Sequence, residues 1–207
     1  IPYFRANAGI MLYDTTYGWV SGNMSANGQG YTIKQMAAKA ALQLGEANYN
    51  AYTYNDISIN AGINNGSFEA QGKSADTSIT MNFGVSGQLD DTTIHDLKAS
   101  MEIAKADLYA THWYTEPLTL KGNLGVDFSS IEPERIEGGA YLTKWQIATN
   151  GKTFPLDSIS LTAQYTDQQY ITLKSPFGLI NANGHIDYTK VGSAFAGIIS
   201  KPLMPAD

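Results

Sequence analysis

The sequence predicts an all-β fold in which long antiparallel strands form one curled sheet, an elongated β-groove. Three observations carry this expectation. Residues 118–128 set Leu118, Leu120, Gly122, Leu124, Val126 and Phe128 against Thr119, Lys121, Asn123, Gly125 and Asp127, a period of two that sends apolar and polar side chains to opposite faces of an extended chain. Residues 79–89 repeat the pattern, with Ile79, Met81, Phe83, Val85 and Leu89 against Thr80, Asn82, Ser86 and Gln88. Hydrophobic residues make up 43% of the 207-residue chain and charged ones only 15%, so Asn, Gln, Ser, Thr and Gly fill the gap, a composition of sheets rather than of coiled coils or disorder.

From the amino terminus, residues 3–11 read as a strand without an evident partner, and 19–27 as a weak strand ending near Asn27-Gly28. Residues 34–44 carry enough Ala for a helix, yet Met36, Ala38, Ala40, Leu42 and Leu44 alternate with Gln35, Lys39 and Gln43, so a strand is expected. Residues 49–54 and 57–63 both alternate but differ in phase, which places a bulge or tight turn at Asn55-Asp56. Asn65-Gly66 marks a hairpin, 67–71 its return, 73–76 a polar turn, and 77–89 a long strand ended by Asp90-Asp91. Leu97, Ala99, Met101 and Ile103 then alternate with Lys98, Ser100 and Glu102, and 106–116 is irregular.

After the strand at 118–128, residues 129–135 read as a loop around Pro133. Tyr141, Thr143, Trp145 and Ile147 alternate with Leu142, Lys144 and Gln146 up to a second Asn-Gly turn at Asn150-Gly151. Ile159, Leu161, Ala163 and Tyr165 form the next stripe. A strand at 170–174 is interrupted by Ser175-Pro176-Phe177-Gly178, and Ile180, Ala182, Gly184, Ile186 and Tyr188 face away from Asn181, Asn183, His185 and Asp187. Residues 190–199 read as a short C-terminal amphipathic helix. The turn spacing gives about nine or ten strands in a single segment spanning 1–207. A strand of about eleven residues is roughly 36 Å long, which favours a barrel or open trough over a compact sandwich, and Gly84, Gly87, Gly122 and Gly125 let such a sheet curl.

Chemistry is sparse. A net charge of -6 with Lys and Arg scattered singly offers no phosphate-tracking stripe, so nucleic acid is not an expected partner. There is no Cys, which removes disulfides and thiolate metal sites, and no metal or other cofactor is expected. The Ile1-Pro2 opening suggests a trimmed fragment or mature product, and no run of roughly 18 apolar residues suits a spanning helix. His95, His112 and His185 stand apart in polar settings and read as solvated residues. Gly84-Val85-Ser86-Gly87 lacks nucleophile-elbow spacing, Asp90-Asp91 lacks the alternating ligands of a calcium loop, and Glu132 and Glu134 flank a loop proline. No enzyme activity is expected. Tyr49, Tyr52 and Tyr54, with Trp113-Tyr114, could stack on sugar rings or line a membrane interface, but cross-strand packing explains them more simply.

Across residues 66–190 the order of features resembles the TamB family of AsmA-like envelope proteins. The resemblance rests on the Ala106-Asp107-Leu108 break, the strand at 118–128, Arg135-Ile136-Glu137-Gly138-Gly139, the run from Pro155 to Ala163, Ile171-Thr172-Leu173-Lys174-Ser175, and Asn183-Gly184-His185-Ile186. It implies a β-sheet curled into a trough with a greasy interior, lying in the periplasm. The parent would be anchored to the inner membrane, and would meet a TamA-like outer-membrane barrel, through sequence absent here. The implied activity is phospholipid transfer and support of outer-membrane assembly, with acyl chains as ligand. The expected lining is Ile57, Ile59, Ile79, Met81, Phe83, Val85, Leu118, Leu120, Leu124, Val126, Ile159, Leu161, Ile171 and Leu173. Competing expectations are a structural module that pairs with a barrel protein, a piece of a transmembrane barrel, and an extracellular sandwich that binds sugar through its tyrosines.

Overall fold

The computed structural model describes residues 3–90, 93–132 and 135–185. They form one twelve-stranded sheet in which every strand pairs antiparallel with its neighbour in sequence. The order is β1 (Phe4–Asn7), α1 (Ala8–Leu12), β2 (Tyr17–Gln29), β3 (Ala37–Tyr49), β4 (Tyr52–Asn64), β5 (Ser67–Ala75) and β6 (Ile79–Leu89). It continues with β7 (Ile94–Asp107), β8 (Leu118–Glu132), β9 (Arg135–Thr149), β10 (Lys152–Tyr165), β11 (Gln169–Ser175) and β12 (Gly178–Gly184). β1 and β12 do not pair with each other, so these strands form an open sheet rather than a closed barrel.

The strand at 34–44 is present as β3, preceded by a single 3-10 turn at Ile33–Gln35. Four expectations near the turns are corrected. Residues 3–11 are only partly strand: the Asn7 side chain accepts from the Ile10 N–H at 3.1 Å, an N-cap that starts α1, and Tyr13 ends it in the left-handed region at φ 54. Residues 49–54 contain a reversal at Asn50-Ala51, both left-handed at φ 51 and φ 60, the geometry of a two-residue hairpin turn. Lys73 to Ala75 stay in β5 and Ser129 to Glu132 stay in β8, so both strands outlast the loops expected there. Pro133 and Glu134 lie outside the described residues, as do Ile186, Tyr188 and the helix expected at 190–199.

Both Asn-Gly turns hold: Asn65-Gly66 and Asn150-Gly151 take positive φ throughout. The bulge or turn expected at Asn55-Asp56 is corrected: Asp56 is left-handed at φ 53, but β4 continues through it and keeps one register against β3. A further left-handed residue, Lys144 at φ 55, makes a bulge in β9: Lys121 faces Gln146 but Asn123 faces Thr143. This bulge reverses the phase expected for β9. Leu142 pairs with Leu124 and Ile159, whereas Tyr141 pairs with Gly125 and Ser160.

The sheet is one layer thick. Substantial packing joins only neighbouring strands, apart from α1 against β2. Among the described residues the only buried apolar side chains are Ala106 and Ala163, at 7% and 3% exposed. Domains ordinarily bury a sheet face against a second layer, and the sandwich alternative requires one; none is found among these residues. Aromatic rings lie over glycines on adjacent strands instead: a methyl at Gly72 would strike Phe83, at Gly87 Phe68, and at Gly125 Tyr141.

Candidate functional site

Residues directly opposite in an antiparallel pair share a face, so the register fixes which side chains lie together. One ladder runs Met24, Leu42, Ile59, Gly72, Phe83, Met101, Leu124, Leu142 and Ile159 from β2 to β10. The adjacent ladder runs Ala26, Ala40, Ala61, Ala70, Val85, Ala99, Val126, Ala140, Leu161, Leu173 and Ile180 from β2 to β12. Further along the same strands, Leu44, Ile57, Met81 and Ile103 extend the face on one side, and Leu97 and Phe128 on the other.

All the residues expected to line a groove fall on this face. Ile57 and Ile59 come from β4, Ile79 to Val85 from β6, Leu118 to Val126 from β8, Ile159 and Leu161 from β10, and Ile171 and Leu173 from β11. Each of them is half-buried. Neighbours within the sheet cover them in part, and nothing described covers them from above. The expected lining omitted β3, β7 and β9, although Leu42, Leu44, Met101 and Ile103 were visible in the alternation. Leu142 was hidden by the bulge at Lys144.

The opposite face is polar and hollowed. A concavity of ≈ 670 Å³ is bordered by strands β2 through β9, among them Lys39, Asn60, Glu69, Gln71, Lys98, Asp127 and Tyr141. Lys98 and Asp127 are direct cross-strand partners on this face. A smaller hollow of ≈ 570 Å³ lies further along the strands at Glu102, Lys121, Asn123 and Gln146.

The two long edges of the sheet differ. Where β2 begins and β3 ends, Tyr17 and Tyr49 lie 4.9 Å apart and Tyr49 and Trp113 5.6 Å apart by ring centroid, and the Trp113 indole donates to the Tyr54 hydroxyl at 2.7 Å. The Asn50 amide donates to the His112 carbonyl, and His112 Nδ1 sits 3.0 Å from the Asn50 carbonyl, so the β7–β8 loop is fastened to the β3–β4 turn. Trp19, Tyr109, Trp113, Tyr114, Phe154 and Phe177 are exposed along this edge. The other edge carries ion pairs, Lys34 to Asp90 at 3.0 Å and Arg135 to Glu137 at 2.7 Å.

Under the aromatic edge Asp76 is 2% exposed. Its carboxylate accepts from the Tyr52 hydroxyl at 2.8 Å and from the N–H groups of Ser78, Asn55 and Ile79 at 2.8, 3.0 and 3.1 Å. Burial pushes its pKa up, but the Ser78 N–H, the Tyr52 hydroxyl and the other two N–H groups together outweigh this and hold it below the usual carboxylate range. This is a structural knot that closes the β5–β6 turn. Tyr49, Tyr52 and Tyr54 are used here in cross-strand packing, the simpler of the readings open to them.

Among the described residues no group of His, Asp and Glu could hold a metal ion, and no helix is long and apolar enough to cross a membrane. No family model matches the chain, and no match emerges among curated proteins or solved structures.

Proposed function

We propose that this chain is a segment of a TamB-like envelope protein whose apolar sheet face carries phospholipid acyl chains between the inner and outer membranes, in support of outer-membrane biogenesis. The observation that carries the reading is the pair of apolar ladders running across the sheet with no second layer over them among the described residues. Fully burying a Leu, Ile, Phe or Met side chain is worth about 1.5–3 kcal/mol, so a face of half-buried ones forgoes on the order of 10 kcal/mol that a hydrocarbon cover would supply. From the lipid's side, a dozen methylenes entering bare water cost about 10 kcal/mol, and a greasy strip along the sheet removes most of that barrier without tight binding. Contact with a TamA-like barrel would use sequence outside this chain. No chemical step is assigned to it.

Lipid extraction and native mass spectrometry of the purified chain test the proposal. Acyl lipids should co-purify and should be lost when Leu124 and Leu142 are both replaced by Lys. A lipid-free preparation, or lipid retained by the Leu124→Lys/Leu142→Lys variant, overturns it.

A second reading, part of a transmembrane barrel, draws on the hollow on the polar face, since such barrels place polar side chains inside. Barrels carry aromatic girdles at both strand ends, whereas here most of the exposed aromatics crowd one edge, with Tyr31 and Tyr170 at the other. A chain that stays monodisperse without detergent excludes this reading.

A further inference from the structure

The polar hollow has features that the lipid reading leaves unused. Its ≈ 670 Å³ is the size of an ordinary ligand site. Two ladders of side chains cross its floor: one carries Asn60, Gln71 and Tyr141, the next Glu69, Lys98 and Asp127. Glycines stand between them at Gly62, Gly84, Gly125 and Gly139, so the polar groups rise from a low floor. Unlike the side chains around Asp76, none of these six makes a side-chain hydrogen bond or ion pair with the rest of the described chain. They supply donors and acceptors together: Lys98 only donates, Glu69 and Asp127 only accept, and the amides and the phenol do both.

Charge narrows the ligand. Lys39 and Lys98 balance Glu69 and Asp127 around the hollow, so the surface has no net field to gather a polyanion or a polycation. Tyr141 lies over Gly125 and is 50% exposed, which offers an aromatic platform inside a polar hollow. A sugar ring has complementary chemistry, with an apolar C–H face to stack on an aromatic ring and hydroxyls that both donate and accept. The ladders also repeat across the strands at roughly 4.8 Å, close to the advance of one ring along an extended glycan.

We propose that this hollow binds a neutral linear saccharide laid across the strands, with Tyr141 stacked under one ring and Asn60, Gln71, Lys98 and Asp127 meeting the hydroxyl or amide groups of its neighbours. The site occupies the face opposite the one assigned to hydrocarbon, so either proposal can fail without the other.

Isothermal titration calorimetry of the full chain with the β-1,4-linked hexasaccharides of N-acetylglucosamine and of glucose tests it, with heparin and an uncharged polar peptide as comparators. The expected result is saturable binding of at least one hexasaccharide, weakened at least about tenfold by Tyr141→Ala and by the double variant Gln71→Ala/Asp127→Asn, and unchanged by Tyr170→Ala. Gln71 and Asp127 are exposed and bonded to nothing, so the double variant decides the matter if Tyr141→Ala fails to fold. No binding of either hexasaccharide at millimolar concentration overturns the proposal. So does binding that both variants leave intact, or a preference for heparin or the peptide.

Discussion

Asp76 shows how a single-layer sheet handles a buried charge. Four donors converge on one carboxylate from β4, the β5–β6 turn and the start of β6, so the turn is closed by hydrogen bonds where a core would otherwise close it. Its pKa is lower folded than unfolded, so the stability it contributes is complete above the unfolded value, near 3.9, and is lost as pH falls below that toward the folded value. Asp76→Asn should lower stability at neutral pH by about 1–3 kcal/mol and flatten the acid limb of a urea-denaturation series. An unchanged midpoint at neutral pH would show that the knot contributes nothing. Gly138 makes a different demand: at φ 137, an added methyl would strike the Asp127 carbonyl and the Phe128 backbone. Gly138→Ala should cost about 1–3 kcal/mol by thermal or urea unfolding, and a neutral outcome would mean that β8 and β9 can part freely there.

At the scale of elements, the sequence patterns were readable wherever a turn had ordinary chemistry. Asn65-Gly66 and Asn150-Gly151 announced their hairpins because glycine takes positive φ without cost, and the alternation in β6 and β8 gave their faces directly. Asn50-Ala51 was hidden because an alanine at φ 60 breaks that rule, and flanking tyrosines made the turn look like strand. Ala51→Gly should leave the fold intact and raise stability by up to about 1 kcal/mol, as the left-handed penalty for a Cβ outweighs the added chain entropy. A clear loss of stability would mean that the Ala51 side chain is needed there. The bulge at Lys144 was equally silent, since nothing about a lysine marks left-handed backbone. Its consequence was large: it exchanged Leu142 and Tyr141 between faces, moving a leucine into the apolar ladder and a tyrosine into the polar hollow.

For the whole molecule, the period-two pattern disclosed an all-β sheet with one greasy face, but not whether a second layer covers that face. Layer number depends on contacts between distant strands, and alternation is the same in a sandwich, a trough or a barrel. The polar hollow was illegible for the same reason, because its side chains come from β2 to β9 and share no local motif. The register then gives the molecule two chemically distinct surfaces, one apolar and one polar, on opposite sides of one layer of backbone. Phe83 and Asn82, neighbours on β6, face these opposite sides. The most direct measurement is photo-crosslinking in cells with a benzophenone amino acid placed at Phe83 or at Asn82, followed by mass spectrometry of the adducts. The hydrocarbon account predicts phospholipid adducts at Phe83 and none at Asn82; equal labelling at the two positions, or protein adducts alone at Phe83, would contradict it.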